Sequence, residues 1–106
     1  MWLAAKSYAR AVAILEGDGD ARTRVWRAAT EIVGLMAKTM PADLWERQQE
    51  FDARVTCVRS PEGAIMATVA LMADAEVSAI EAEIRAMAAF VGWSSTIAPA
   101  TDNTKP

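Results

Sequence analysis

The clearest evidence for the fold class lies in residues 60–92, SPEGAIMATVALMADAEVSAIEAEIRAMAAFVG. Ser60 is a favoured N-cap, Pro61 fits the first helical position, and Glu62 complements the positive end of the helix dipole. Further along, apolar side chains follow heptad spacing, at Ala73, Val77, Ile80, Ile84, Met87 and Val91. The stretch therefore predicts a long helix, the last of the chain, with one apolar seam.

The sequence leaves open whether this helix is continuous. Between residues 62 and 91 the sequence has no proline, which favours a continuous helix. A continuous helix is longer than a compact domain of this size needs, and Asp74 is itself a suitable N-cap, so a break near Asp74 is the alternative. Gly92 is expected to end the helix. Residues 94–106, rich in small and polar side chains, are predicted to form a flexible tail.

Three further helices are predicted upstream. The first covers residues 2–16 and stops at Gly17, the second follows an Asp20 cap and runs to about residue 40, and the third covers residues 41–59. Each of the three has an apolar stripe at helical spacing. The stripe of the first helix contains Tyr8, Val12 and Leu15, and that of the second contains Val25, Ala29, Ile32, Met36 and Met40. The stripe of the third contains Leu44, Phe51, Val55 and Val58 and is interrupted by Gln48. The sequence thus predicts an all-α, four-helix bundle-like single domain over residues 1–93.

The composition excludes most kinds of catalysis. The 106 residues include no histidine and one cysteine, which excludes Ser-His-Asp and Cys-His triads, histidine-containing or four-cysteine zinc sites and an internal disulfide. Glycine-rich phosphate-binding motifs are missing as well. Cys57, with no imidazole to act as its base, is interpreted as a small, partly buried hydrophobe. We expect a non-enzymatic protein with no metal site and no cofactor.

Charge and arginine–tryptophan patterning predict a binding site in the middle of the chain. The net charge is −3, but residues 21–60 hold seven basic and five acidic side chains. Arginine interleaved with tryptophan contacts phosphates and stacks on the bases of single-stranded DNA. The candidate residues for nucleic-acid or partner binding are Arg22, Arg24, Trp26, Arg27, Trp45 and Arg47. The alternative is that Trp26 and Trp45, which lie beside apolar stripes, belong to the core.

The apolar content favours a protein partner. Four tryptophans, six methionines and the heptad seam offer more apolar surface than one small core requires, and tryptophan and arginine are enriched at binding hot spots. The alternative is burial of this excess in a homodimer through the first and last helices. Without a cationic leader or an apolar run of membrane-spanning length, the chain is expected to be cytoplasmic, with no membrane partner.

In size, alanine-rich helical composition, net acidity and lack of enzyme motifs, the chain resembles small proteins of phages and mobile elements, among them anti-CRISPR proteins. The resemblance involves no defined motif and assigns no site residue. It implies a non-catalytic inhibitor that binds a subunit of a surveillance complex or the nucleic acid of that complex. The leading prediction is therefore an inhibitor or adaptor acting by protein–protein contact, and the alternative is single-stranded DNA binding.

Overall fold

The computed structural model describes residues 2–102 and, as far as residue 92, their side chains. Its helices are α1 Ala4–Leu15, α2 Ala21–Ile32, α3 Ala42–Val55, α4 Ala64–Leu71 and α5 Asp74–Asp102, with a 3-10 turn at Ala37–Thr39. Residues 2–102 contain no strand. The all-α prediction is confirmed for this range, whereas five helices stand where four were predicted.

The heptad seam of α5 is buried within the single chain. The helix α1 packs against α2 and α5, and α3 packs against α4 and α5. The seam residues that are buried in this core are Val77, Ile80, Ile84, Met87 and Val91, as predicted, whereas Ala73 is exposed. The first helix contributes Ala4, Tyr8, Ala11 and Leu15 to the same core. The seam therefore needs no second chain to cover it.

The second helix ends eight residues before the predicted position. Gly34 follows its last turn with φ +87°, a left-handed conformation in which glycine avoids the penalty of a β-carbon. The chain then crosses the surface, so Met36, predicted to be apolar core, is 53% exposed. Met40 returns to the core and is buried. The prediction of a helix to residue 40 is wrong because Gly34, in a left-handed conformation, ends the helix before the apolar spacing does.

The Ser60-Pro61-Glu62 segment forms a turn and does not start a helix. The Ser60 hydroxyl accepts a hydrogen bond from the Glu62 N–H at 3.2 Å, and the Gly63 N–H donates to the Ser60 carbonyl at 3.0 Å. Gly63 has φ +119°, so the chain changes direction there and α4 begins at Ala64. The prediction that Ser60 is a helix N-cap is wrong.

The predicted long helix is broken, as the alternative proposed. The helix α4 stops at Leu71 and α5 starts at Asp74, with the Ala73 N–H donating to Glu76 Oε1 at 3.2 Å. At its other end α5 continues past Gly92 to Asp102, so the predicted stop at Gly92 is wrong. Residues 103–106 lie outside the described residues, and the mobility of residues 94–106 stays a prediction.

Gln48, the polar interruption in the α3 stripe, is a fully buried link between three helices. Its Oε1 accepts a hydrogen bond from the Tyr8 hydroxyl of α1. Its Nε2 donates to the Ile32 carbonyl at the end of α2, at 2.8 Å, and to Asp52 Oδ1, at 2.7 Å. Because buried polar groups must be paired, these bonds fix how α1, α2 and α3 meet.

We expect Tyr8 to remain protonated in the folded protein well above its ordinary pKa. Burial raises the pKa of Tyr8 far above 10, and the nearby Asp52 carboxylate raises it further. The folded state therefore keeps a proton that the unfolded state loses. The contribution of this proton to the free energy of unfolding is fully present below about pH 10. As the pH rises further, the free energy of unfolding falls by up to about 1.4 kcal/mol per pH unit.

Ultraviolet absorbance provides the measurement, because Tyr8 is the one tyrosine of the chain. The phenolate band should be missing from the folded protein at about pH 11 and appear when urea unfolds it. Urea midpoints should fall from about pH 9 to pH 11, and Tyr8→Phe should remove most of that fall. A phenolate band in a protein that retains its helical circular dichroism at this pH would contradict the prediction.

Candidate partner-binding surface

Two of the six predicted binding residues form ion pairs within the chain. Arg22 Nη1 donates to the carbonyls of Val69 and Met72, at 2.6 and 2.7 Å, and its Nη2 pairs with Asp74 at 2.7 Å. Arg22 thus satisfies carbonyls at the end of α4 and joins them to the start of α5. These bonds give Arg22 a structural role.

Arg47 is also paired internally. Its Nε and Nη2 donate to the two carboxylate oxygens of Glu83 on α5, at 3.1 and 2.8 Å. These hydrogen bonds raise the pKa of Arg47 above its already high ordinary value. Trp45, on the same helix, is half-buried against the core. Arg47 and Trp45 therefore connect α3 to the rest of the fold, and neither lines a groove that Trp26 lines.

The remaining three predicted residues lie together near the start of α2. Trp26 is half-buried, and the Arg27 guanidinium carbon lies 5.9 Å from the centroid of its ring. Arg27 is exposed, whereas Arg24 is half-buried and donates to the Gly19 carbonyl. Arg22, although it is bonded internally, lines a groove together with Trp26, whereas Trp45 and Arg47 line neither of the grooves that Trp26 lines.

The helix α4 is apolar around nearly its whole circumference, yet the fold covers it only in part. Its sequence, AIMATVAL, holds no charged residue, and a helix that is apolar all round is ordinarily buried. Here Thr68 and Val69 alone are buried, Ile65 and Met66 are half-buried, and Leu71 is 75% exposed. The fold therefore leaves apolar side chains of α4 facing solvent.

Two adjoining grooves lie where α2 packs against α4. One has a volume of about 410 Å³ and is lined in part by Trp26, Thr30, Ile65 and Met66. The other has about 200 Å³ and is lined in part by Trp26, Met66 and Ala70. Trp26 and Met66 line both. We call these five residues, with the two grooves, the Trp26 surface.

A third and larger groove lies between the end of α3 and the junction of α4 with α5. Its volume is about 470 Å³, and its lining includes Ala53, Arg54, Cys57, Val58, Leu71, Met72 and Glu76. We call it the Leu71 groove. Leu71 and Met66 are five residues apart, roughly 140° around a helix of 3.6 residues per turn. The Leu71 groove and the Trp26 surface thus use different sides of α4.

Cys57 is exposed, and the prediction that it is partly buried is wrong. The physical reason is that α3 ends at Val55, four residues earlier than predicted, so Cys57 no longer lies on the apolar stripe of that helix. Thr56 helps to end the helix, because its hydroxyl donates back to the Asp52 carbonyl at 2.6 Å.

Sequence reasoning missed most of the Trp26 surface. The sequence places Ile65, Met66 and Ala70 in the predicted long helix, and it gives neither them nor Thr30 a role in binding. The signal that marks them is the run of eight residues without a charged side chain between Gly63 and Met72. A helix with that sequence, once it is separated from α5, has no polar face to turn toward water.

Within residues 2–102, the side chains that the structure describes contain no cluster of three histidine, cysteine, aspartate or glutamate residues able to hold a metal ion. No helix in this range combines the length and apolarity that a bilayer span requires. No known family model matches the chain, and no curated protein or solved structure shows significant similarity to it. The candidate surface therefore rests on the residues and geometry of this chain.

Proposed function

We propose that the protein binds another protein through the Trp26 surface and acts as an inhibitor or adaptor by contact, without catalysis. The observation that carries the proposal is the pair of grooves meeting at Trp26 and Met66 beside the charge-free helix α4. Exposed apolar patches mark interaction sites. Tryptophan is enriched among the residues that dominate binding energy, and methionine adapts its shape to a partner.

The shape of the surface suggests how a partner would be held. A groove on each side of the indole can take one apolar side chain, so that Trp26 stands between two inserted residues. Arg27, whose guanidinium lies near the indole ring, supplies a cation at the rim for a carboxylate or carbonyl of the partner. The preferred ligand is thus an apolar protein segment with a hydrogen-bond acceptor beside it.

The alternative function, binding of single-stranded DNA, retains Trp26, Arg24 and Arg27 but loses support from the other arginines. Arg22 and Arg47 form ion pairs with Asp74 and Glu83, and an arginine already paired releases fewer counterions from DNA. The resemblance to anti-CRISPR proteins implies an inhibitor and is compatible with either a protein or a nucleic-acid target. Action in the cytoplasm is part of the same proposal.

Ala70→Arg tests the proposal with little disturbance of the core. Ala70 is exposed and lines the smaller groove, so a long charged side chain there should obstruct binding without unfolding the helix. In affinity purification from cells of the native host, we expect Ala70→Arg to recover about tenfold less of the partner than the unmodified chain. Ala86→Arg is the matched control, because Ala86 is exposed on α5 and lines none of the grooves described above.

Two outcomes would count against a protein partner. One is that every protein recovered by the unmodified chain is recovered equally by Ala70→Arg. The other is a mobility shift of labelled single-stranded DNA at low salt that Arg24→Glu combined with Arg27→Glu removes, which would favour the alternative function. We expect no such shift.

A further inference from the structure

The Leu71 groove exposes apolar side chains that no other part of the described chain covers. Leu71 is 75% exposed, and Ala53, Val58 and Met72 line the groove around it. Moving a leucine side chain out of water is favourable, in proportion to the apolar area that is buried. A complex in which an apolar side chain enters the groove is therefore stabilised by the burial of apolar surface.

Opposite charges lie on the two sides of this groove. Arg54 comes from α3 and Glu76 from α5, and both are exposed. Neither forms an ion pair within residues 2–92, although Glu76 Oε1 accepts a hydrogen bond from the Ala73 N–H. The groove thus has one cation and one anion in its lining that no opposite charge of the described chain pairs.

We propose that the Leu71 groove binds the Leu71 groove of a second copy of this chain, related by a two-fold axis. A two-fold contact uses the same patch on both subunits, so the patch must be complementary to itself. In this arrangement Leu71 of each copy enters the groove of the other. Arg54 of each copy faces Glu76 of the other, so the dimer contains two intermolecular ion pairs.

Neighbouring residues permit this approach. Ala75 and Ala79 are exposed on α5 beside Glu76, and their small side chains let a second helix come close. Each copy has a net charge of −3, so the two repel at long range, and the paired charges at the groove set the orientation. An interface built around one groove is near the small end of the size range for specific complexes, so the dimer should dissociate on dilution.

This dimer differs from the one that the sequence predicts through the first and last helices. The apolar faces of α1 and α5 are already buried in the core of one chain, whereas the Leu71 groove is open. It is also independent of the proposed function, because that function uses the Trp26 surface. The Ala70→Arg variant should dimerise as the unmodified chain does, so failure of one proposal is distinguishable from failure of the other.

Sedimentation equilibrium over a concentration series tests the dimer with the full chain alone. The mean mass of the unmodified chain should rise from that of one chain toward that of two. Leu71→Asp should raise the dissociation constant by at least about tenfold. Leu3→Asp is the matched control, since Leu3 is 74% exposed at the start of α1 and should leave the constant unchanged. A single-chain mass at every concentration, or equal effects of the two variants, would overturn the proposal.

A charge exchange identifies the pairing. Arg54→Glu gives a groove with two anions, and Glu76→Lys gives a groove with two cations, so each variant alone should be monomeric. An equimolar mixture should dimerise again, because each groove then meets its opposite. A variant that had merely lost its fold would not be rescued by mixing, and circular dichroism melting checks that both remain folded. A mixture that stays monomeric while both variants are folded would refute the proposed pairing.

Discussion

Replacing Gln48 with alanine should lower the free energy of unfolding by about 3–5 kcal/mol. The substitution removes the acceptor of the Tyr8 hydroxyl and the donor to the Ile32 carbonyl, and both groups stay buried. It also leaves a cavity where a fully buried side chain was packed. A small domain is stable by about 5–15 kcal/mol, so this variant should be close to unfolding at room temperature.

Gln49→Ala is the matched control, because Gln49 is the exposed neighbour of Gln48 on the same helix. It should change stability by no more than about 0.5 kcal/mol. Urea unfolding followed by circular dichroism measures both variants. Equal midpoints for Gln48→Ala and Gln49→Ala would show that the buried network contributes nothing.

A double substitution separates the hydrogen bonds from the packing. Gln48→Leu leaves the Tyr8 hydroxyl without its partner, and adding Tyr8→Phe removes that hydroxyl as well. Because apolar replacement of both partners avoids an unsatisfied buried group, the double variant should be more stable than Gln48→Leu alone. The reverse order would mean that the Tyr8–Gln48 bond is not what makes Gln48 necessary.

Arg22→Ala should lower the free energy of unfolding by about 2–3 kcal/mol, the cost of losing hydrogen bonds from a charged donor. Arg22 donates to the Val69 and Met72 carbonyls and pairs with Asp74, and the Val69 carbonyl also accepts from the Met72 N–H at 3.2 Å. Asp74 is exposed, so most of the effect should come from the two carbonyl bonds and little from the ion pair. Arg22→Lys should recover part of the loss, since lysine has no planar fork to reach both carbonyls and the carboxylate.

The matched control is Arg27→Ala, an exposed arginine on the same helix, which should change stability by no more than about 0.5 kcal/mol. Hydrogen exchange provides a second measurement, because the loss should appear first as faster exchange in α4 and the first turn of α5. If Arg22→Ala and Arg27→Ala had the same stability and the same exchange pattern, the role assigned to Arg22 would be wrong.

Local signals predicted the helices well where residue periodicity and a single cap were sufficient. The Asp20 cap is confirmed, since its carboxylate accepts hydrogen bonds from the Thr23 N–H and hydroxyl at 3.2 and 2.7 Å. The seam of α5 is confirmed from Val77 to Val91. Such signals depend on neighbours within one or two turns, which a sequence displays directly.

Helix starts and ends were predicted less well where two local signals compete. Ser60, Pro61 and Glu62 satisfy the pattern of a helix start, but Gly63 directly after them takes a φ of +119° and turns the chain first. Likewise Gly34 stops α2 although the apolar spacing continues to Met40. In both places a glycine with positive φ redirects the chain. Gly63 does so against the helix-start pattern of residues 60–62, and Gly34 does so against the apolar periodicity that continues after it.

From its residues alone, this protein could be recognised as an all-helical chain with a capped second helix and an apolar seam in the last one. The roles of Arg22, Arg47 and Gln48 depended on contacts across 16 to 52 positions of the chain. The exposure of one side of α4 likewise followed from how α2 and α3 pack against its other sides. Helical periodicity is a property of neighbouring residues, whereas the covering of a surface and the pairing of a charge require segments that only folding brings together.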